Sequence, residues 1–145
     1  MIYLAGSCSS EERTLMVNIA KFLRDNGKEL YCPFELKIPD AWDYSQEDWA
    51  RKVFEADKDA IDKADIFLMI TPGRIGSAGT NWEQGYAFAT GKRIIVIQYT
   101  NHPTSLMTYC GCNTFINTSK QNLFNDILTA LDGDDVIGKC STTLT

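Results

Sequence analysis

Two uninterrupted apolar runs limit the fold of this chain more than anything else in it: Ile66-Phe67-Leu68-Met69-Ile70 and Ile94-Ile95-Val96-Ile97. A strand without polar alternation is one whose two faces are both covered, as in a parallel sheet packed between helices. The segments around them supply the helices. Ile2 to Ala5 is a short apolar strand ending at Gly6-Ser7, and Glu11 to Asn26 follows with Leu15, Ile19, Phe22 and Leu23 at helical spacing, closed by Gly27. Glu29 to Cys32 reads as a second strand stopped by Pro33, and Phe34 to Asp48, which contains Pro39 and shows no period, reads as a long loop. Trp49, Val53, Phe54, Ala60 and Ile61 pattern a charged amphipathic helix before the first long run. Thr71 to Gly79 is a glycine-containing loop, Thr80 opens a helix that ends near Gly91, and Arg93 to Ile97 is the next strand. Thr114 to Ile116 reads as a fifth strand, and Leu123, Ile127, Leu128 and Leu131 mark a last helix.

Strands alternating with helices imply right-handed crossovers and a parallel sheet. The expected fold is a doubly wound α/β domain, flavodoxin- or Rossmann-like, with a five-stranded parallel sheet and helices on both faces. A chain of 145 residues suffices for one such domain, expected over residues 1–131, with 132–145 a polar, loosely held tail. Ligands of these folds sit beyond the carboxyl ends of the strands, where strand order reverses. The loops Gly6 to Ser10, Thr71 to Gly79 and the segment after Ile97 converge there.

The net charge of −5 opposes a broad nucleic-acid or anionic-membrane surface, and no nucleic-acid or membrane partner is expected. The five cysteines are an odd number at irregular spacing, which reads as reduced thiols. Cys110-Gly111-Cys112 lacks the two-residue gap of a zinc knuckle, and His102 is the sole histidine, so no metal is expected. The absence of a leader pattern and of a long apolar run leads to an expected cytoplasmic location.

In the stretch GSAGTNWEQGYA, Thr80 and Glu83 have the spacing of a capping box, and two roles are open to Glu83: a helix cap, or chemistry. A carboxylate in the first turn is held ionised by the helix dipole, the form a nucleophile needs. Gly73, Gly76 and Gly79 form either a flexible loop or a backbone that lets amides approach an anion. Among Asp57, Asp59, Asp62 and Asp65, Asp57 borders the apolar stripe through Phe54 and Ile61 and is the one able to look into a crevice. Asp65 reads as a cap at entry to the strand.

Together, Ile2-Tyr3-Leu4-Ala5-Gly6, Asp57-x-x-x-Ile61-x-x-Ala64-Asp65, Gly79-Thr80-x-x-Glu83-x-Gly85-x-Ala87 and Gly91-Lys92 resemble the nucleoside 2-deoxyribosyltransferase superfamily, from Ile2 to about Met107. That superfamily includes base-exchange transferases and N-glycosidases of nucleoside 5′-monophosphates. The resemblance implies Glu83 as the nucleophile at the anomeric carbon, Asp57 as the acid serving the departing base, Tyr3 as the hydroxyl orienting Glu83, and no cofactor. Six residues before Glu83 stands Ser77, where transferases carry an aspartate for a free 5′-hydroxyl and the monophosphate glycosidases carry serine. A serine can donate to a phosphate that a carboxylate would repel. Ser105, where transferases carry asparagine, precedes Leu106-Met107, a segment similar to one that a neighbouring subunit inserts into the active site. The Gly6-Ser7 turn resembles the glycosidases' phosphate turn. The resemblance thus assigns Gly6, Ser7, Ser77, Gly79, Ser105 and Met107 to substrate binding, with Arg74 as a charge partner. Each serine also has an ordinary reading as a turn residue. The implied partners are a nucleotide or nucleoside and a second copy of the chain, in a homodimer or higher oligomer. Hydrolysis of a monophosphate, base exchange and a silent nucleotide sensor are the functions that follow.

Overall fold

The two apolar runs lie side by side at the centre of the sheet. In the computed structural model, which describes residues 1–138 and 140–145, they form β3 (Ile66–Thr71) and β4 (Arg93–Gln98), paired in parallel from Ile66↔Arg93 to Thr71↔Gln98. β1 (Ile2–Ala5) pairs with β3 on the other side, β2 (Leu30–Tyr31) lies outside β1, and β5 (Thr114–Asn117) lies outside β4. The order β2-β1-β3-β4-β5 is the flavodoxin-like winding, whose direction reverses between β1 and β3.

Alternation along the strands divides the core into two layers. Leu4, Leu68, Ile70, Ile95 and Ile97 face α1 (Ser10–Asp25) and α5 (Leu123–Asp132), through Met16, Ile19, Leu23, Leu123 and Ile127. On the opposite face Tyr3, Ala5, Phe67, Met69, Ile94 and Val96 pack with Ile61 of α2 (Gln46–Lys63) and Ala87 of α3 (Ala78–Ala89). The fold expected from the sequence is the fold present. Gly6, at the end of β1, is needed for packing as well. A Cβ there would lie 2.6 Å from Met16 Cε and 3.3 Å from the Ile70 carbonyl oxygen.

Several local expectations are corrected. α2 begins at Gln46, three residues before Trp49, because Ser45 caps it by accepting from the Asp48 amide at 3.1 Å. The preceding segment is not all loop, since Pro33–Glu35 and Ala41–Asp43 are 3₁₀ turns. α3 begins at Ala78 with Ser77 as its cap, accepting from the Thr80 amide at 3.3 Å, so the Thr80–Glu83 capping box does not form. Asp65 does not cap a strand. Its carboxylate pairs with the Met1 ammonium at 2.9 Å. A helix unseen in the sequence, α4 (Leu106–Cys110), follows β4. The tail is tied down. Phe115 donates its amide to Val136 and accepts from Gly138 beside β5, and residues 143–145 bond to Thr104 and Leu106. No helix among the described residues is long and apolar enough to cross a membrane.

Candidate active site

Register places three aromatic rings in a row across the sheet. Tyr3 of β1 is opposite Tyr31 of β2 and Phe67 of β3, and its ring stacks on both, with centroids 5.4 and 5.6 Å away. The two tyrosine hydroxyls emerge on the α2–α3 face, and each meets one carboxyl group. Tyr3 donates to Glu83 Oε2 from α3, and Tyr31 donates to Asp57 Oδ1 from α2 at 2.8 Å.

Both carboxyl groups have pKa values above their ordinary range. Glu83 is pushed up to about 7, first by burial; the charge of Asp57 adds to this, while the Tyr3 hydrogen bond opposes it. Glu83 lies in the second turn of α3, behind Ser77, Ala78 and Gly79, so the expected first-turn dipole does not govern its ionisation. Asp57 is raised by burial, against the lowering effect of Tyr31's hydrogen bond. Tyr3 and Tyr31 are both raised, with burial the largest cause, and they remain neutral donors. Two carboxyl groups, each held by its own phenol, face one cavity of about 290 Å³.

That cavity is walled by Phe54, Trp82, Ile61, Lys58 and Gly79. Phe54 and Trp82 meet edge to face at 5.0 Å, Trp82 stacks on Tyr86 at 5.6 Å, and both Phe54 and Trp82 are about half exposed. Such an aromatic wall beside paired carboxyl groups suits a flat, apolar-faced ligand with ionisable nitrogens. The larger hollow, about 560 Å³, lies on the other side of α3 against α4 and contains no carboxyl group. Of these two hollows, the smaller one alone is lined by carboxyl groups.

The expected residues divide accordingly. Tyr3, Asp57, Glu83 and Gly79 come together, and Gly6, Ser7 and Ser77 stand on the two loops leaving β1 and β3 at the point of reversal. Ser7 Oγ accepts from the Ser9 amide at 3.2 Å and Ser77 Oγ from the Thr80 amide, which leaves both hydroxyl hydrogens available to a ligand. Arg74 is exposed, and among the described residues its side chain makes no hydrogen bond. Ser105 and Met107 line the larger hollow, away from Glu83 of their own chain. Tyr31, Phe54 and Lys58 were missed from the sequence. The register of Tyr31 with Tyr3 was the available signal, and Phe54 lies one helical turn before Asp57.

The family model for nucleoside 2-deoxyribosyltransferase matches residues 2–130. The chain belongs to that family. A 2-deoxyribosyltransferase from Bacillus psychrosaccharolyticus is 30% identical, with a TM-score of 0.73, over 87% of this chain and 88% of that one. The CMP N-glycosidase BcmB of Clostridium botulinum shares the fold at 24% identity and a TM-score of 0.60, over 88% of this chain and 96% of that one. A conserved protein from Enterococcus faecalis shares it at 17% identity and 0.63, with the same coverage. No curated protein sequence matches the chain significantly. This is a family of enzymes acting on nucleosides or nucleotides. Within this family's fold, the Tyr3–Glu83 and Tyr31–Asp57 pairs set two carboxyl groups on one cavity, and no group of three or more His, Cys, Asp or Glu side chains able to hold a metal ion lies among the described residues.

Proposed function

We propose that the chain cleaves the N-glycosidic bond of a nucleoside or deoxynucleoside 5′-monophosphate, releasing the free base and the sugar 5-phosphate. Glu83, as carboxylate, attacks the anomeric carbon while the C–N bond breaks and its electron pair leaves with the base nitrogen. Asp57, as acid, delivers a proton to the base, worth about 10² to 10⁴ in rate. Water then attacks the glycosyl ester, Asp57 takes its proton, and Glu83 is released. Tyr3 orients the nucleophile and Tyr31 orients the acid. Phe54 and Trp82 offer the departing base a stacking face.

The observation that carries the phosphate assignment is the uncharged cap of α3. Ser77 satisfies the Thr80 amide with its oxygen lone pair and retains a hydrogen for an anion, and Ser7, on the loop after β1, does the same with the Ser9 amide. An aspartate at that position would cap equally well and repel a phosphate. The second reading is base exchange on a deoxynucleoside, favoured by the 30% identity to a 2-deoxyribosyltransferase. A panel of nucleosides, deoxynucleosides and their monophosphates, assayed with and without a second base, separates the two. Free base from monophosphates without an acceptor supports hydrolysis; turnover of unphosphorylated substrates alone removes the phosphate assignment.

The site is completed by Ser105 and Met107 of a neighbouring subunit in at least a two-fold dimer. Supporting this, Met107 is 75% exposed and Phe88, on the same hollow, 63%, which is apolar surface that suits burial against another copy.

A further inference from the structure

α4 is only five residues long, too short to hold itself, yet both of its ends are tied by buried side chains or by the last residues of the chain. At its carboxyl end, Gln84 Nε2 donates to the Thr108 and Gly111 carbonyls, each at 3.0 Å. At its amino end, the Leu106 amide donates to the Thr145 carbonyl at 3.0 Å, while Thr104 donates to Thr143 at 2.8 Å and accepts from Thr145 at 3.0 Å. Behind these bonds lies a satisfied polar network. Gln98, fully buried, uses its amide hydrogens on the Thr100 and His102 carbonyls and accepts the Thr104 hydroxyl at 2.7 Å. That hydroxyl's hydrogen is thereby committed, so Thr142 is the donor in the 2.5 Å contact between the two threonines. The same brace reaches the loop after β3. Arg74 donates its amide to Pro103 at 2.7 Å, and Gly73, at φ 110°, passes so near that a Cβ would lie 2.8 Å from the Pro103 oxygen.

Gln98 and Thr104 are buried and Thr142 partly so, and a network whose members are all hydrogen-bonded rigidifies what it holds. What this one holds is Ser105 and Met107, which take no part in the Glu83 cavity of their own chain. We infer that Gln98, Thr104 and Thr142, with the strand-like run 143–145, are positioning residues that set the α4 segment for the active site of the neighbouring subunit. This rests on the shared-site reading above. The brace acts in trans, and the side chain doing so without touching substrate is Thr142.

Mixed dimers test it. One subunit carries Glu83→Ala and the other Thr142→Val, purified as the heterodimer through two different tags. The Thr142→Val homodimer is expected to keep its oligomeric state and unfolding temperature and to lose at least about tenfold in kcat/KM, as misplaced catalytic segments do, with Thr142→Ser restoring it. In the heterodimer, the Glu83→Ala subunit lends an intact segment to the intact nucleophile of its partner, and activity returns to about half that of the wild type, one site in two being complete. A heterodimer no more active than the Thr142→Val homodimer puts the brace in cis and overturns the inference, as does a fully active Thr142→Val. An active Glu83→Ala homodimer, or a wild-type protein monomeric by light scattering, instead overturns the reading on which it rests.

Discussion

Tyr3 and Glu83, eighty residues apart, are joined by a hydrogen bond from the phenol to the carboxylate, and the carboxyl group so held has a pKa near 7. A nucleophile must be ionised and an acid protonated, so the active pair holds one proton, and kcat/KM is expected to fall about tenfold per pH unit above roughly pH 7, where the pair loses it. Asp57, raised by burial but already ionised when Glu83 titrates, sets the acid limb, where the pair takes up a second proton. A rate profile from pH 4 to 10 checks this, and a rate that stays level from pH 7 to 10 would contradict it.

Tyr3 and Tyr31 are expected to move different limbs. Each phenol's hydrogen bond lowers its partner's pKa, so its loss raises that pKa. Tyr3→Phe shifts the alkaline limb to higher pH and Tyr31→Phe shifts the acid limb to higher pH, both rings remaining to stack. The two carboxyl groups titrate as a coupled pair, and it is the apparent limbs that the rate profiles of the two variants report.

Glu83 also carries a stability signature. Its pKa is higher folded than unfolded, so the native state binds the proton more tightly and loses stability as pH rises from about 4.5 to about 7. The loss is on the order of 3 kcal/mol and constant above that window. Glu83→Gln, which still accepts from Tyr3, is expected to unfold at a higher temperature than wild type at pH 8 and at about the same temperature near pH 4, read by thermal denaturation at both values.

The large features of this fold were legible because they are burial patterns. The β3 and β4 runs are apolar on both faces, and α1 and α5 bury one stripe each, so composition along the chain maps to layers. What escaped was set by contacts between distant residues. Thr80 and Glu83 match a capping box locally, but Ser77 takes the Thr80 amide first. α4 has too few residues to show a period and is held by Gln84 and Thr145. The polar tail gives no local sign of its pairing with β5 and Thr104. In the site, Tyr3, Asp57 and Glu83 could be read from the family resemblance, whereas Tyr31 needed the strand register.

Ser77→Asp separates substrate choice from folding. Aspartate is as good a helix cap as serine, so the unfolding temperature should hold. The added charge faces the proposed phosphate, and kcat/KM for monophosphates is expected to fall by at least about tenfold relative to free nucleosides, since a single unfavourable charge contact is worth more than 1.4 kcal/mol when partly desolvated. Parallel assays on a nucleoside and its monophosphate give the ratio. An unchanged ratio means that Ser77 does not face the phosphate.

Trp82→Ala removes the outer wall of the cavity. Stacking of a base on an aromatic ring is worth about 1–3 kcal/mol, so KM should rise roughly 5- to 150-fold, with a smaller effect on kcat. Trp82→Phe should recover most of it. Steady-state kinetics of the two variants measure the split.

The covalent intermediate on Glu83 is the centre of the account, and mass spectrometry of the protein quenched in acid during turnover tests it most directly. The account predicts a peptic peptide containing Glu83 that is heavier by one sugar phosphate, absent in Glu83→Gln. Sustained turnover with an adduct on another residue, or undiminished turnover in Glu83→Gln, would contradict it.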